Sequence, residues 1–328
     1  MSRLPRRHLL LSGAALAAGV RAQPGWPQRP LRIVVPYGPG GTTDLITRAL
    51  TPELQRQLGQ PVQVEHRPGA EGNLGCVEVA RATDGHTLLM GTVGTHALNP
   101  VLARRLPYDP VGDFAPVALV AQAPLVLVIN PAVAAALGIR SVAELLRVAR
   151  AQPGRLNLAS GGSATSGHLC GELFKKLTQT ELRHFPYRSG APAQQDVIAG
   201  NMDLMFDTLP AALPQMRAGR LLALAVSSAQ RSPSVPDLPT LGQAGGPALQ
   251  GLALQTWFGL LAPERQPPEQ LARLQRDAAA ALARLRATFV ALGAQAGSGS
   301  PADFSALMAA ETARWAAIVK QVGLKVDR

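Results

Sequence analysis

LRIVVPYGPGGTTDLITRAL, Leu31 to Leu50, joins an apolar run to an amphipathic repeat through a bend with glycine at 38, 40 and 41. The LRIVV run has the composition of a buried strand. From Asp44 to Leu58, apolar Leu45, Ile46, Ala49, Leu50, Leu54 and Leu58 recur on one side of a helix. A strand that passes through glycines into a helix is the opening unit of a parallel, helix-covered sheet. The glycines let backbone N–H groups approach a ligand, and the helix start adds unpaired donors and the positive end of a dipole. Such a bend suits a carboxylate or phosphate; it also reads as a tight turn with Thr42 or Thr43 capping the helix. Asp44 falls in the first helical turn, where it complements the dipole or meets an amine or water. The bend carries no lysine, arginine or catalytic pair. It lacks the P-loop pattern, and Thr43 occupies the third glycine position of a dinucleotide fingerprint.

Outward from this unit the alternation repeats. PVQVEHRP reads as a strand, GAEGNLGCVEVARA as a glycine-started helix and HTLLMGT as a third strand, ending in VGTHALNP. FAPVALVAQAPLVLVIN, Phe114 to Asn130, is too long for one ordinary strand and holds Pro124 at its middle. It is expected to be a pair of strands crossing between two domains. Strand and helix alternate again through RLNLAS, helix 168–177, LRHFPY, helix 191–198, MDLMFD, helix 211–218 and LLALAVSS. TWFGLLAP is read as the strand that returns to the first domain, and helices over 268–293 and 301–322 close the chain. The predicted fold class is α/β, with mainly parallel sheets in two lobes joined by two hinge crossings. Residues 23–123 and 251–328 form one lobe and 124–250 the other.

The 328 residues are 47% apolar and 16% charged, which describes a globular chain with room for two cores. Residues 1–22 read as a cleavable export signal. Arg3, Arg6 and Arg7 precede the short apolar run LLLSGAALAAG, and Ala22 sets cleavage before Gln23, by the Sec or the twin-arginine route. The run is too short to span a membrane, so the mature chain is expected outside the cytoplasm. Loss of the signal's four arginines takes the net charge from +11 to +7. The remaining basic residues are scattered, which argues against nucleic acid as a partner, and their mild positive field favours anionic ligands. Cys76 and Cys170 are expected as buried thiols or as a disulfide. With six dispersed histidines and neither HExxH nor CxxC, no metal and no cofactor is expected.

A second loop, ASGGSATSGHL, places Ser160, Ser163, Thr165, Ser166 and His168 at another strand-to-helix turn. A secreted serine hydrolase would use Ser163 as nucleophile and His168 as base, but Thr165 breaks the GxSxG elbow and the base is too close in sequence. Hydroxyls and N–H groups at a helix start are better donors to an anion; the alternative is a capped helix with His168 packed beneath it. His96 is either a ligand donor or a histidine that fixes its loop. Asp207, at the end of MDLMFD, either receives hydrogen bonds from a ligand or caps the next helix. Two lobes with facing anion-type loops describe a hinged clamp that holds and releases.

IVVPYGPGGTTD, LGQPVQVEHRPGAEGNLG, DGHTLLMGTVGTHALNP, LPYDPVGDFAPVALVA, LNLASGGSATSGHLCGELF, HFPYRSGAPAQQDVIAGNMDLMFD and WFGLLAP, in this order over about 28–326, resemble the Bug receptors, the extracytoplasmic solute receptors of tripartite tricarboxylate transporters. The resemblance implies a type II periplasmic-binding-protein (Venus-flytrap) fold and a periplasmic, non-enzymatic, monomeric receptor. It would capture a small organic carboxylate and dock transiently on a membrane permease, or alternatively on a sensor kinase. By motif, it assigns ligand contacts to Tyr37, Gly40, Gly41, Thr42, Asp44, Thr95 and His96 from one lobe. From the other it assigns Ser160, Ser163, Ala164, Thr165, His168, Tyr187, Ser189, Gly190 and Asp207. The sequence departs from the family at Ala164, where glycine is usual, and at Ser163 and Arg188, where asparagine and lysine are common.

Overall fold

Strand β1 (Leu31–Val35) and helix α1 (Thr42–Leu58) form where the opening stretch places them. Ile46, Leu50, Leu54 and Leu58 recur every fourth residue and bury one stripe of α1 against Leu31, Ile33 and Val35. Each such side chain contributes about 1.5–3 kcal/mol on burial. Gly41 is the N-cap, so neither Thr42 nor Thr43 caps the helix, and Gly59 closes it in the left-handed region. The computed structural model describes residues 25–163 and 165–324. The export signal with its cleavage position, and Ala164, lie outside the described residues.

The other strands are β2 (Val62–His66), β3 (Thr87–Thr92), β4 (Phe114–Ile129), β5 (Asn157–Ser160), β6 (Arg183–Pro186), β7 (Leu204–Thr208), β8 (Leu222–Val226), β9 (Gln255–Pro263) and β10 (Gln295–Ala296). The helices that follow α1 are α2 (Asn73–Ala80), α3 (Asn99–Leu102), α4 (Pro131–Leu137), α5 (Val142–Ala151), α6 (Ser166–Thr178), α7 (Gly190–Ala199), α8 (Leu209–Arg217), α9 (Leu241–Ala244), α10 (Pro268–Arg284), α11 (Arg286–Leu292) and α12 (Pro301–Val322). None of the described helices is long and apolar enough to cross a membrane.

The strands make two sheets that share β4, in the order β2-β1-β3-β9-β4-β7-β5-β6, with β8 and β10 also paired to β4. Phe114 to Pro124 of β4 pair with β9; Leu125 to Ile129 pair with β7. The segment expected as a pair of strands is thus one strand of 16 residues. Its length is the sum of two ordinary strands laid end to end, one in each sheet. The hand-over falls at Pro124, whose ring removes the N–H that a continuing ladder would use.

The sheets are mixed rather than mainly parallel. β1 pairs in parallel with β2 and β3, and β5 with β6 and β7. Every pairing of β4 and β9 is antiparallel, because these strands carry the chain between sheets instead of following a crossover helix. Two helix readings also change. The helix expected over 268–293 breaks at Leu285, where bonding tightens to Leu285 N–H→Leu282 O, 3.1 Å. The segment opening GAEG starts as a 3₁₀ turn over Ala70–Gly72, with α2 beginning only at Asn73.

Cys76 and Cys170 are buried free thiols. Burial pushes both well up from the ordinary thiol range, so they pack as small apolar groups.

Candidate functional site

The parallel strands of each sheet end on one edge, and the loops that leave those ends carry the candidate residues. β1, β2 and β3 supply residues 36–41, 67–72 and 93–98; β5, β6 and β7 supply 161–165, 187–189 and Thr208. Thr42 Oγ1 and Thr208 Oγ1 are hydrogen-bonded at 2.6 Å, so the two edges meet directly. Ligands of open α/β sheets bind at such carboxyl ends.

Three helices start at this meeting point without a side-chain cap: α1, entered through Gly41, α7, entered through Ser189, and α8, entered through Thr208 with Pro210 in its first turn. Other helices are capped. Ser141, Thr165 and Ser300 accept first-turn N–H groups of α5, α6 and α12. The first-turn N–H groups of α1 and α7 remain as donors for an anion, one set from each sheet.

On the first edge, Asp44 is buried and its oxygens face back into its own lobe. Oδ2 accepts the Gly40 N–H at 2.9 Å; Oδ1 accepts Arg48 Nε at 2.8 Å and lies 2.9 Å from His66 Nε2. Burial alone would raise this carboxyl, but the Gly40 N–H, Arg48 and His66 together hold it below its ordinary value. Asp44 therefore shapes the 38–41 bend and keeps it in place. Tyr37 is held by Thr92 (Oη to Oγ1, 3.1 Å), and burial pushes its phenol up to about 12. Thr95 Oγ1 donates to Thr92 O, accepts Thr92 N–H and lies 2.8 Å from His96 Nδ1. His96 itself is enclosed by Phe114, Tyr108 and Trp257, with ring centroids at 4.9, 6.3 and 6.4 Å. Burial pushes it down to about 3, so the ring is neutral and its Nδ1 is engaged by Thr95 within the same loop.

On the second edge, Ser160 Oγ donates to Gly162 O (3.1 Å) and lies 2.7 Å from His184 Nε2. Thr165 caps α6, accepting His168 N–H at 3.3 Å. The His168 ring is buried and stacked on His184 at 4.0 Å, beneath the loop. Burial, reinforced by His184 and Lys175, pushes it down to about 3. An imidazole so far below neutrality is a poor base for the exposed Ser163 hydroxyl. Tyr187 donates to Asp196 Oδ2 at 2.6 Å; burial first, then Asp196, pushes its phenol up to about 12. Asp207 is buried behind Gly190 and accepts Gln194 Nε2 and Thr208 N–H, both at 2.7 Å.

His168, Glu172 and His184 bring three metal-type donor atoms within 4.8 Å of one another. Their geometry does not suit an ion. Two imidazoles ligate one metal only where their ring planes meet, and these planes are 18° apart. Both Glu172 oxygens are already held by Lys175, at 2.8 and 2.9 Å.

Sequence reasoning missed the loop after β2. Ala70 and Glu71 both have positive φ, 45° and 59°, between Gly69 and Gly72. A Cβ on Gly72 would lie 2.8 Å from Thr95 Cγ2 and 3.4 Å from Tyr37 Cζ, so this loop packs directly on two candidate contacts. Consecutive left-handed L-residues cost of order 1–3 kcal/mol each and concentrate at ligand clamps. Thr92, Gln194 and Thr208 were missed as well. The paired glycines of GAEG were the one visible signal.

The family model described as tripartite tricarboxylate transporter family receptor matches residues 46–324. The UPF0065 protein in the tcbD-tcbE intergenic region of Pseudomonas sp. is 36% identical over 330 residues, covering 98% of this chain and 96% of that protein. Protein BugT of Bordetella pertussis is 34% identical over 322 residues, covering 97% and 96%. Among solved structures, R. palustris Rpa4515 with adipate has a TM-score of 0.86 at 36% identity, over 92% of this chain and 99% of that one. MatC from Rhodopseudomonas palustris with bound malate has a TM-score of 0.80 at 32% identity, over 90% and 100%. The two-lobed α/β fold expected from the sequence is the fold of these proteins.

Proposed function

The chain belongs to the tripartite tricarboxylate transporter receptor family, and from that premise we propose that it captures a small organic carboxylate between its lobes, in the periplasm, for delivery to a membrane permease. One observation carries the reading: the uncapped N-terminus of α1 from one sheet and those of α7 and α8 from the other converge where Thr42 meets Thr208, with Gly190 of α7 beside Asp207. N–H groups and hydroxyls hold an anion without a formal counter-charge, so capture does not forbid release. Tyr37, Gly40, Gly41, Thr42 and Thr95 line one side of the proposed site, and Ser160, Ser163, Thr165, Tyr187, Ser189 and Gly190 the other. Asp44, His96 and His168 act from behind as positioning residues. The lobes of this reading are 23–123 with 251–328, and 124–250; the hand-over at Pro124 supports that division. Titration of the mature protein with di- and tricarboxylates, aromatic acids and amino acids, by thermal shift and calorimetry, tests it. A carboxylate is expected to stabilise the protein; a panel that gives no shift removes the proposal.

Asp207 makes the proposed site pH-sensitive. Burial pushes its carboxyl up to about 6, against the pull of Gln194 and Thr208. Folding thus favours the protonated form. Its contribution to stability is complete below about pH 4 and is lost as pH rises through about 6. A carboxylate bound nearby favours that proton further, so binding takes up a proton. Affinity is expected to rise by up to about tenfold per unit fall in pH through neutrality, and D207N to flatten this slope. Calorimetry in two buffers of different ionisation enthalpy measures the uptake; a wild-type affinity independent of pH contradicts it.

A further inference from the structure

Two segments carry the chain between the sheets: β4 at Leu125, and the entry to β9 at Leu254. Between them lies Ser227, the residue after β8, with no exposed surface. Its N–H donates to Leu125 O at 2.8 Å, and its Oγ accepts the Leu125 N–H at 2.9 Å. Its carbonyl accepts the Leu254 N–H at 2.8 Å, and its Oγ–H donates to Leu254 O at 2.6 Å. One residue therefore satisfies both backbone polar groups of both crossing residues. The hydroxyl does the work of a second peptide unit, since its single proton goes to one crossing and a lone pair to the other. Leu125 and Leu254 are themselves 1% exposed, so solvent does not readily replace these bonds.

We propose that Ser227 is a hinge pin: a positioning residue that ties the two crossings together and so sets how the lobes close on ligand. This rests on the receptor reading above. Two lobes joined by two strands can bend about the line through both crossings, or they can twist and slide, which changes the spacing of the strands. A residue bonded four times across that spacing resists twist and slide and leaves bending free. Closure then brings the α1 and α7 N-termini onto the ligand along one path. Removal of the hydroxyl leaves the Leu125 N–H and Leu254 C=O unpaired and lets the crossings part.

Paired spin labels test the pin without ligand. A279C on α10 and R147C on α5 place one exposed label on each lobe, and the native cysteines are buried. The inter-label distance distribution of ligand-free S227A is expected to be broader than that of the parent, and S227T, which keeps the hydroxyl, to restore it. Carboxylate affinity in S227A is expected to fall at least tenfold through faster dissociation, although Ser227 touches no ligand. An unchanged distribution in folded S227A, or a lower melting temperature with unchanged distribution and dissociation rate, overturns the proposal. If S227A does not fold, S227C, with a weaker donor of similar shape, carries the same comparison. Failure of the wild type to bind any carboxylate would defeat the receptor reading but leave the distance measurement to decide on the pin.

Discussion

Replacement of Gly161 by alanine is expected to weaken carboxylate binding about 100-fold while the protein still folds. Gly161 opens the loop after β5. A Cβ there would lie 2.8 Å from Gly190 N, 3.1 Å from Gly190 Cα and 3.3 Å from the Ser189 carbonyl carbon. These are backbone atoms at the start of α7, so no side chain can swing aside. The methyl group both crowds the Gly190 N–H and pushes the α7 N-terminus away from the loop over 161–165. Hydrogen bonds to a charged group contribute roughly 1.5–3 kcal/mol each, and loss of about 3 kcal/mol is about 100-fold in affinity. The contact lies at the sheet edge, outside the hydrophobic clusters, so the expected loss of stability is that of local overpacking, about 1–3 kcal/mol. Calorimetry against the carboxylate giving the largest thermal shift, with a circular-dichroism melt, separates the two effects. Affinity within threefold of wild type would refute the placement of Gly190 in the site.

Asp44→Ala is expected to cost both stability and affinity. The side chain is 6% exposed and holds the Gly40 N–H and His66 in addition to Arg48. Arg48 is largely solvated, so its share is small. The Gly40 N–H and His66 bonds together are worth roughly 2–4 kcal/mol, or about 3–6 °C in melting temperature for a chain of this size. The bend over 38–41 also loses its anchor, and affinity is expected to drop by about tenfold or more. The pH dependence has a definite sign. Because Asp44 titrates below its ordinary value when folded, its stabilisation is present above about pH 4 and disappears as pH falls through the folded value. The wild-type and D44A melting curves should therefore converge in acid; a gap that stays constant to pH 3 would show that the charge is not what stabilises the bend.

These residues show how far the sequence reaches. The glycine bend, the α1 stripe and the repeated strand-to-helix order are local patterns, set by φ preferences and by 3.6- and 2-residue periods, and they place most candidate residues on loops at the strand ends. Asp44 was legible as a first-turn acid. Its partners were not, because His66 comes from the next strand and Gly40 reaches it only through the bend. The same holds for His96 and His168. Each sits in a loop motif, yet the aromatic enclosure of one and the stacking of the other on His184 are decided by residues far along the chain. Ala70 and Glu71 adopt positive φ against their own preference, which no local rule foresees.

Alone, the sequence determined an α/β chain with glycine and hydroxyl loops at its strand ends, since backbone freedom and hydrophobic period are written residue by residue; its resemblance to the Bug receptors added the two-lobed receptor. Tertiary structure alone decided that Phe114 to Ile129 is one strand shared by two sheets, that Asp44 points inward, and that Ser227 ties the crossings. Those outcomes depend on which distant backbone groups need partners once the sheets have formed, and a buried N–H or C=O takes the partner that the assembled fold brings to it.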